Sequence, residues 1–292
     1  ETYNDRVQPP FEPENDGRAL IRYYLSELLK SGGEVDLHGY NHQPLVPEGF
    51  DYSGDNYTGW PEKGDMILSI QELLRYGKSF LPDAQFLTYV PPSNYLSPTG
   101  QEALLEAVPE LRVISGLYLP EGGVKAHVQE FQEEHTGLIS IPRITSGYSM
   151  NSYNLLMVAH ELALHGVFSH FIHPDDVLDD ARGAMLGWAS MFRDFETVIE
   201  SMAGTYPALR WNTAAQGAAA IQRYDRLAVK REMAGKEMNL TLSPFYDEAW
   251  LALWCVQEPT AVENAELHKI DEGFYWLHAH DAQVRIRWEN SL

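Results

Sequence analysis

The chain has 292 residues, of which 44% are hydrophobic and 22% are charged, so it is long enough to bury a sizeable core as an ordinary globular protein. Its 42 acidic residues against 21 basic ones give a net charge of -21, which argues against binding to a nucleic-acid backbone or to an anionic membrane. The single cysteine excludes an internal disulfide, and no run of about 18 apolar residues predicts a transmembrane helix.

Helical and strand patterns alternate from residue 17 to about residue 215. Apolar residues that recur every three or four positions predict helices, and short apolar runs between them predict buried strands. The predicted helices span residues 17–30, 62–80, 99–107, 154–165, 176–182 and 184–202. The predicted strands run into His38 and span residues 85–90, 112–115, 138–141 and 166–172. Thr99 is predicted to cap the third helix because Glu102 follows three residues later.

Alternating strands and helices indicate a parallel sheet, either doubly wound or closed into a β/α barrel. Chemically active residues follow the predicted strands directly. They are His38, His42, Asn94, Tyr95, Arg143 and His173. Because the site of a β/α barrel gathers at the carboxyl ends of its strands, this placement favours the barrel.

The pattern changes after residue 232, where apolar residues alternate with period two. Such segments cover residues 239–243, 250–256, 273–277 and 283–288. They predict a small antiparallel sheet or sandwich. We therefore expect an α/β domain over residues 1–232 and an antiparallel β domain over residues 233–292.

His38 and His42 give the strongest local signal for chemistry. They lie four residues apart where a strand runs out into a loop, and two neutral imidazoles can bind one Zn, Co, Ni or Fe ion. A catalytic metal site also needs a third protein ligand and an open position for water. The alternative is that the two histidines make ordinary hydrogen bonds in a loop.

Two further stretches contain paired histidines. His160 and His165 in HELALH lie five apart, about 140° around a helix, so they do not share a face as a zinc-protease motif requires, and they predict an ordinary helix end. His170 and His173 bracket a strand end before two aspartates, where a histidine is a candidate general acid. The spacing does not decide which of these two faces the site.

Residues 32–42, GGEVDLHGYNH, resemble the metal-binding motif of the polysaccharide deacetylases, the carbohydrate esterases of the NodB-homology family. In that family a Gly-x-Glu strand runs into His-Ser/Thr-x-x-His, and Gly39 stands here in place of the hydroxyl residue. The resemblance implies a distorted β/α barrel with His38 and His42 as metal ligands. It covers roughly residues 1–215.

Two later stretches extend the resemblance. Residues 171–173, FIH, are similar to the family's Leu-x-His motif, which implies that His173 is the general acid. Residues 89–95 stand where the family has its Arg-x-Pro-Tyr groove wall, with Tyr89 in place of arginine. The residues that the resemblance suggests for substrate binding are Tyr40, Asn94, Tyr95, Arg143 and His170.

The family's first strand carries Thr-Phe-Asp-Asp, which supplies the general base and the third metal ligand. Residues 2–5 read TYND, so Asn4 would replace the base and Asp5 would be the ligand. Because Asp5 lies close to His38 in sequence, we expect the aspartate pair to lie upstream of residue 1. The alternatives are a non-catalytic relative, or recruitment of another acid such as Asp36.

The resemblance implies metal-dependent deacetylation of an N- or O-acetylated polysaccharide or oligosaccharide. Zn is the first choice of metal, with Co, Ni or Fe as alternatives. A backbone amide near Asn94 and Tyr95 would help to hold the oxyanion. The motifs look most like a divergent branch associated with exopolysaccharide and biofilm, which predicts a location outside the cell or in its envelope. The alternatives are a non-catalytic carbohydrate-binding or scaffold relative, and an amidase or glycosidase on a similar barrel.

Overall fold

The structure is a computed structural model that describes residues 17–50, 57–116, 130–180 and 182–289. The chain divides into two compact units, Glu1–Ala218 and Ala219–Leu292. The sequence predicted the division fourteen residues later, at 232/233, which falls inside the strand Ala228–Ala234. Every residue of that strand is exposed, so it lacks the apolar alternation by which the other strands were recognised.

Six α-helices are present in the described residues. They are α1 (Arg18–Lys30), α2 (Lys63–Phe80), α3 (Pro98–Ala107), α4 (Ser152–His165), α5 (Trp188–Thr205) and α6 (Ala214–Arg226). Sequence periodicity predicted all but α6, whereas the helix predicted over residues 176–182 is a 3-10 turn at Pro174–Leu178. In the described part of the chain, no helix combines the length and the apolarity that crossing a membrane requires.

The predicted N-cap of α3 is wrong. Ser97, not Thr99, caps the helix, because its Oγ accepts a hydrogen bond from the amide of Gly100 at 2.9 Å. Ser97 Oγ also donates to the carbonyl of Leu45 at 3.0 Å. The cap therefore ties α3 to the chain that follows His42.

The first unit contains a sheet of very short strands, whose pairings are parallel except for the antiparallel pairing at one edge. Its members are β1 (Thr88–Tyr89), β2 (Val113–Ile114), β3 (Gln132–Glu133) and β4 (Ile139–Ser140), in the order β1-β2-β4-β3. A separate parallel pair is formed by β5 (Thr145–Ser146) and β6 (His170–Phe171). Leu37 extends the first sheet by a parallel bridge to Tyr89. None of these sheets closes within the described residues, so the distorted β/α barrel stays a prediction.

Helices α2 and α3 cover this sheet with one continuous apolar core. Ile70 of α2 and Leu104 of α3 are fully buried, as is Tyr89 of β1. Burial of such side chains contributes about 1.5–3 kcal/mol each relative to exposure. The core therefore holds the strand ends, and the loops that leave them, in a defined arrangement.

The second unit is an antiparallel β-sandwich. Its strands are β7 (Ala228–Ala234), β8 (Glu237–Ser243), β9 (Ala249–Trp254), β10 (Ala261–Glu263), β11 (Ala265–Asp271), β12 (Phe274–Ala279) and β13 (Gln283–Arg287). They form two sheets, in the orders β10-β13-β8-β7 and β11-β12-β9. One buried core joins the sheets, and it contains Met238, Leu240, Leu242, Ala249, Leu277, Ala279, Val284 and Ile286.

We expect Gly100→Ala to lower the Tm by about 5 °C, although alanine is the better helix former. A Cβ at position 100 would lie 1.9 Å from the carbonyl oxygen of Leu45, so the cap region of α3 would have to shift. The control is Gly64→Ala in α2, where nothing lies within 4 Å and the change in stability should stay within about 1 kcal/mol. Equal thermal melts for the two variants would contradict the packing described here.

Candidate functional site

The sequence-predicted site residues lie in loops that leave parallel strands at their carboxyl ends. His38 follows the bridge from Leu37 to β1, and Asn94 lies in the loop after β1. Arg143 comes after β4, and His173 comes after β6. β1 and β4 belong to one sheet and run parallel, so their carboxyl ends share one edge, whereas β6 belongs to the separate β5-β6 pair. Carboxyl ends of parallel strands are where sites form in α/β folds.

The first loop makes a tight turn through His42. Asn41 and His42 both have positive φ, at 49° and 55°, and the amide of Gln43 closes the turn on the carbonyl of Tyr40 at 2.9 Å. Two successive left-handed residues are typical of a type I′ turn, usually with glycine or asparagine. A histidine in this conformation costs about 1–3 kcal/mol, and such strain concentrates at functional sites.

The second loop repeats this geometry after β1. Ser93 and Asn94 have φ of 48° and 65°, and the amide of Tyr95 closes the turn on the carbonyl of Pro92 at 3.0 Å. The amide of Asn94 donates to Pro91 at 3.0 Å. Both amides are therefore already engaged within the turn. In this conformation neither of these two amides is available to an oxyanion, and an oxyanion-binding amide near them stays a prediction.

The two turns lie against each other because Gly39 has no side chain. A Cβ at Gly39 would lie 2.5 Å from Cγ of Pro92, and its φ of 77° also favours glycine. This close approach gives a physical reason for glycine at the position where the deacetylase motif has a hydroxyl residue. Tyr57 links the turns as well, since its hydroxyl lies 2.8 Å from Nδ1 of His42 and 2.9 Å from Oγ of Ser93.

The rings of His38 and His42 contact each other within the first loop. Their ring centroids lie 4.9 Å apart, edge to face. Nδ1 of His38 lies 2.8 Å from the carbonyl oxygen of Val90. A carbonyl only accepts, so Nδ1 carries the hydrogen and the neutral ring has its lone pair on Nε2. Metal-binding histidines are commonly oriented in this way through their second nitrogen.

The imidazole nitrogens of His38 and His42 fit a divalent ion that prefers nitrogen ligands. They supply two protein ligands, whereas a catalytic zinc site has three. Within the described ranges, no acidic side chain, cysteine or further histidine completes a three-ligand group with His38 and His42. Asp5, the predicted third ligand, lies outside the described residues. Its role stays a prediction.

Asp36, the alternative acid, serves a different purpose in the structure. Its Oδ1 accepts hydrogen bonds from the amides of Leu87 at 2.8 Å and Thr88 at 2.9 Å. The pKa of the Asp36 carboxyl is raised from 3.8 to about 6, chiefly by burial and also by the neighbouring Glu34, against the lowering effect of the two amides. Asp36 therefore ties its own strand to β1, and it is not part of a ligand group with the histidines.

Arg143 and Asn94 form a partly buried polar contact between two of the loops. Nη2 of Arg143 donates a hydrogen bond to Oδ1 of Asn94. The guanidinium carbon lies 4.4 Å above the centroid of the Phe171 ring, and burial lowers the pKa of Arg143. Nε of Arg143 is buried without a hydrogen-bond partner. A buried donor without a partner is unusual, which makes this guanidinium a candidate binding group.

The structure distinguishes His170 from His173. Both ring nitrogens of His170 are engaged, with Thr145 Oγ1 at 2.9 Å and the carbonyl of Gly147 at 2.8 Å, and burial lowers its pKa. His170 therefore holds β5 against β6 rather than presenting a nitrogen to a substrate. No described residue hydrogen-bonds to the ring of His173, whose edge faces Phe171 at 5.4 Å between centroids.

The two predicted tyrosines have different surroundings. Tyr95 is 3% exposed and packs between Phe50 and Tyr57, so its side chain belongs to the core rather than to a binding surface. Tyr40 lines an open cleft of about 330 Å³ next to the histidine loop. Trp60 lines the same cleft. Tyr40 is therefore placed to contact a ligand, whereas Tyr95 is not.

The sequence reasoning missed a second group of potential ligands, in the β-sandwich. Glu266 and His268 lie on β11 and His278 lies on β12, and one ligand atom from each lies within 4.8 Å of the others. The sequence could have indicated part of this group, because Glu266 and His268 are two residues apart on one strand and therefore share a face. The pairing of β11 with β12, which brings the three together, has no local signature.

A family model described as "Uncharacterised protein conserved in bacteria (DUF2194)" matches residues 1–276 of the chain. No curated protein and no solved structure matches the chain.

We expect Asp36→Asn to stabilise the protein by about 1–2 kcal/mol at pH 7, after allowance for solvent screening, and to have little effect at pH 4. The folded-state pKa of about 6 lies above the ordinary 3.8, so the carboxyl stabilises the fold less as the pH rises from about 4 to 6. Asparagine keeps an acceptor for the two amides without the charge. Thermal melts at both pH values measure the difference.

The control for this prediction is Glu110→Gln, an exposed carboxyl whose removal should leave the pH dependence of the parent unchanged. If the melts of Asp36→Asn follow those of the parent at both pH values, the raised pKa is refuted.

Proposed function

We propose that this chain, which belongs to the bacterial family DUF2194, is a metal-dependent deacetylase of acetylated polysaccharides. The observation that carries the proposal is the His38–His42 pair. The two rings meet where the parallel pairing of Leu37 with β1 ends, and each has its Nδ1 engaged by a neighbouring oxygen. His42 lies in the strained turn. This geometry supports the function that the resemblance to the NodB-homology deacetylases implies.

His38 and His42 would hold the metal, with a carboxylate from outside the described residues as the third ligand. Zn is the first choice, because imidazole nitrogen suits it. A bound ion of this kind supplies a water of lowered pKa and polarises an acetyl carbonyl. Val90 and Tyr57 fix the orientation of the two rings through Nδ1.

His173 would act as the general acid that protonates the sugar nitrogen or oxygen as the acetyl group leaves. A histidine can exchange a proton near neutral pH, which suits this role. Its backbone carbonyl accepts a hydrogen bond from Tyr148 at 3.0 Å, and its ring borders Phe171. These contacts hold the residue at the strand exit, while no described residue hydrogen-bonds to the ring nitrogens.

Arg143 and Asn94 would bind and orient the substrate. The guanidinium is held by Asn94 and Phe171, and it would donate to an acetyl or hydroxyl oxygen of the substrate. Tyr40 would add a contact from the neighbouring cleft. The net charge of -21 favours a polymer that becomes cationic when its acetamides are cleaved. A polysaccharide substrate of this kind also implies that the protein acts outside the cell or in its envelope.

The first test removes the metal ligand His38. In a His268→Ala background, which disables the ligand group of the sandwich, His38→Ala should abolish zinc binding at this site and reduce deacetylation of N-acetylhexosamine oligomers at least a hundredfold. Zinc is measured by equilibrium dialysis, and released acetate reports activity.

Tyr57→Phe should weaken zinc binding by about tenfold, because it removes the oxygen that orients His42.

The matched control is His135→Ala, an exposed histidine that belongs to no ligand group of the described residues. It should bind zinc and release acetate like the background protein. Zinc binding that survives His38→Ala unchanged would contradict the site. Zinc binding without any acetate release, in the full-length natural protein, would contradict the reaction.

A second candidate function, carbohydrate binding without hydrolysis, is favoured by the aromatic row on the sandwich. Trp254 is 72% exposed and stacks on Phe274 at 4.2 Å between centroids, and Trp276 continues the row at 5.6 Å. Exposed apolar patches of this kind mark interaction sites. Flat aromatic faces match the apolar faces of sugar rings.

For this second function, Trp254→Ala should weaken binding of N-acetylhexosamine oligomers about tenfold, because the outermost ring of the row is lost. Isothermal titration calorimetry measures the affinity. Trp211→Ala removes another half-exposed tryptophan from outside the row and should leave the affinity unchanged. The same affinity in both variants would argue against the aromatic row as the binding surface.

A further inference from the structure

The pairing of β11, β12 and β9 places polar and aromatic side chains next to one another on the solvent-facing side of this sheet. Along β12, Tyr275, Leu277 and Ala279 are buried, so the residues between them point outward. The outward-pointing His278 pairs directly with Glu266 of β11 on one side and with Trp250 of β9 on the other. Three neighbouring strands therefore contribute side chains to one patch.

Three side chains of this patch have the composition of a transition-metal site. Glu266, His268 and His278 each present a ligand atom, and these atoms lie within 4.8 Å of one another. Nε2 of His268 lies 3.7 Å from Oε2 of Glu266. Two ligands on a tetrahedral zinc ion lie roughly 3.3 Å apart, since the bonds are about 2.0–2.1 Å long. A shift of a few tenths of an ångström would bring this pair to ligand spacing.

The surroundings orient His278 as a ligand. Oε2 of Glu248 lies 2.7 Å from Nε2 of His278, and Arg223 lies 3.5 Å from the same carboxylate group. When the Glu248 carboxylate accepts this hydrogen bond, Nε2 of His278 is the donor, and in the neutral ring Nδ1 then carries the lone pair. A carboxylate that holds the second nitrogen of a histidine is a recurring partner of metal sites.

Stacking restricts both imidazoles further. The ring of Trp250 lies parallel to His278 at 3.9 Å and nearly parallel to His268 at 5.7 Å. His280 adds another imidazole at the rim, with Nε2 3.5 Å from Oε1 of Glu266. Because the ligands stand on paired strands rather than on a loop, their spacing is held by the sheet.

We propose that Glu266, His268 and His278 bind one divalent transition-metal ion, with zinc as the first choice. The site is separate from the His38–His42 pair and does not depend on it. It is open to solvent, so the ion exchanges readily and keeps at least one water or His280 as a further ligand. Because the ligands come from two strands, the ion cross-links β11 to β12 and stabilises the folded sandwich.

The test uses the full chain without a histidine tag and with His38→Ala and His42→Ala already present. We expect one equivalent of Zn²⁺ by isothermal titration calorimetry, and a rise in Tm when Zn²⁺ is added. His278→Ala should weaken binding at least tenfold and abolish the rise in Tm. Glu266→Gln, which keeps the shape and removes the charge, should weaken binding in the same direction.

The control is His160→Ala, an exposed histidine of α4 that should bind Zn²⁺ like the background protein. If loss of the His278 ring destabilises the sandwich, His268→Asn provides the same test at a half-exposed position. No bound Zn²⁺ in the background protein at 100-fold molar excess, or equal binding in all variants, would overturn the proposal and leave the patch as hydrogen-bonded surface residues.

Discussion

The candidate site depends on the parallel pairing of Leu37 with β1. The amide of Leu37 donates to Thr88 at 3.1 Å, and the amide of Val90 donates to Leu37 at 2.9 Å. This pairing ends at the residue before His38, so the histidine loop and the loop after β1 leave the sheet side by side. The same Val90 then accepts from Nδ1 of His38. One short ladder thus sets both the position and the tautomer of the first proposed ligand.

A continuous series of contacts joins the later loops to this pair of strands. Pro92 lies against Gly39, Asn94 accepts from Arg143, and Arg143 lies over Phe171, whose ring borders His173. None of these contacts is strong alone. Together they connect the proposed metal ligands beside β1 to the proposed general acid after β6, although the two strands belong to separate sheets and these residues are far apart in sequence.

The sandwich uses the same strand periodicity for two purposes. Alternate residues of β12 fill the core, and the residues between them, including Trp276 and His278, face outward. The outer face has an aromatic end around Trp254 and a polar end around Glu266 and His268. This division places the proposed sugar-binding and metal-binding functions on one sheet, where separate substitutions can test each.

The sequence by itself determined the local elements. The helices predicted over residues 17–30 and 62–80 begin within one residue of α1 and α2, because apolar periodicity within a helix needs no distant partner. Long-range packing decided the rest. Tyr95 became a core residue, the two ring nitrogens of His170 were engaged by Thr145 of β5 and by Gly147 just after it, and Glu266 met His278 through strand pairing. Each depends on contacts between segments whose register no local pattern encodes.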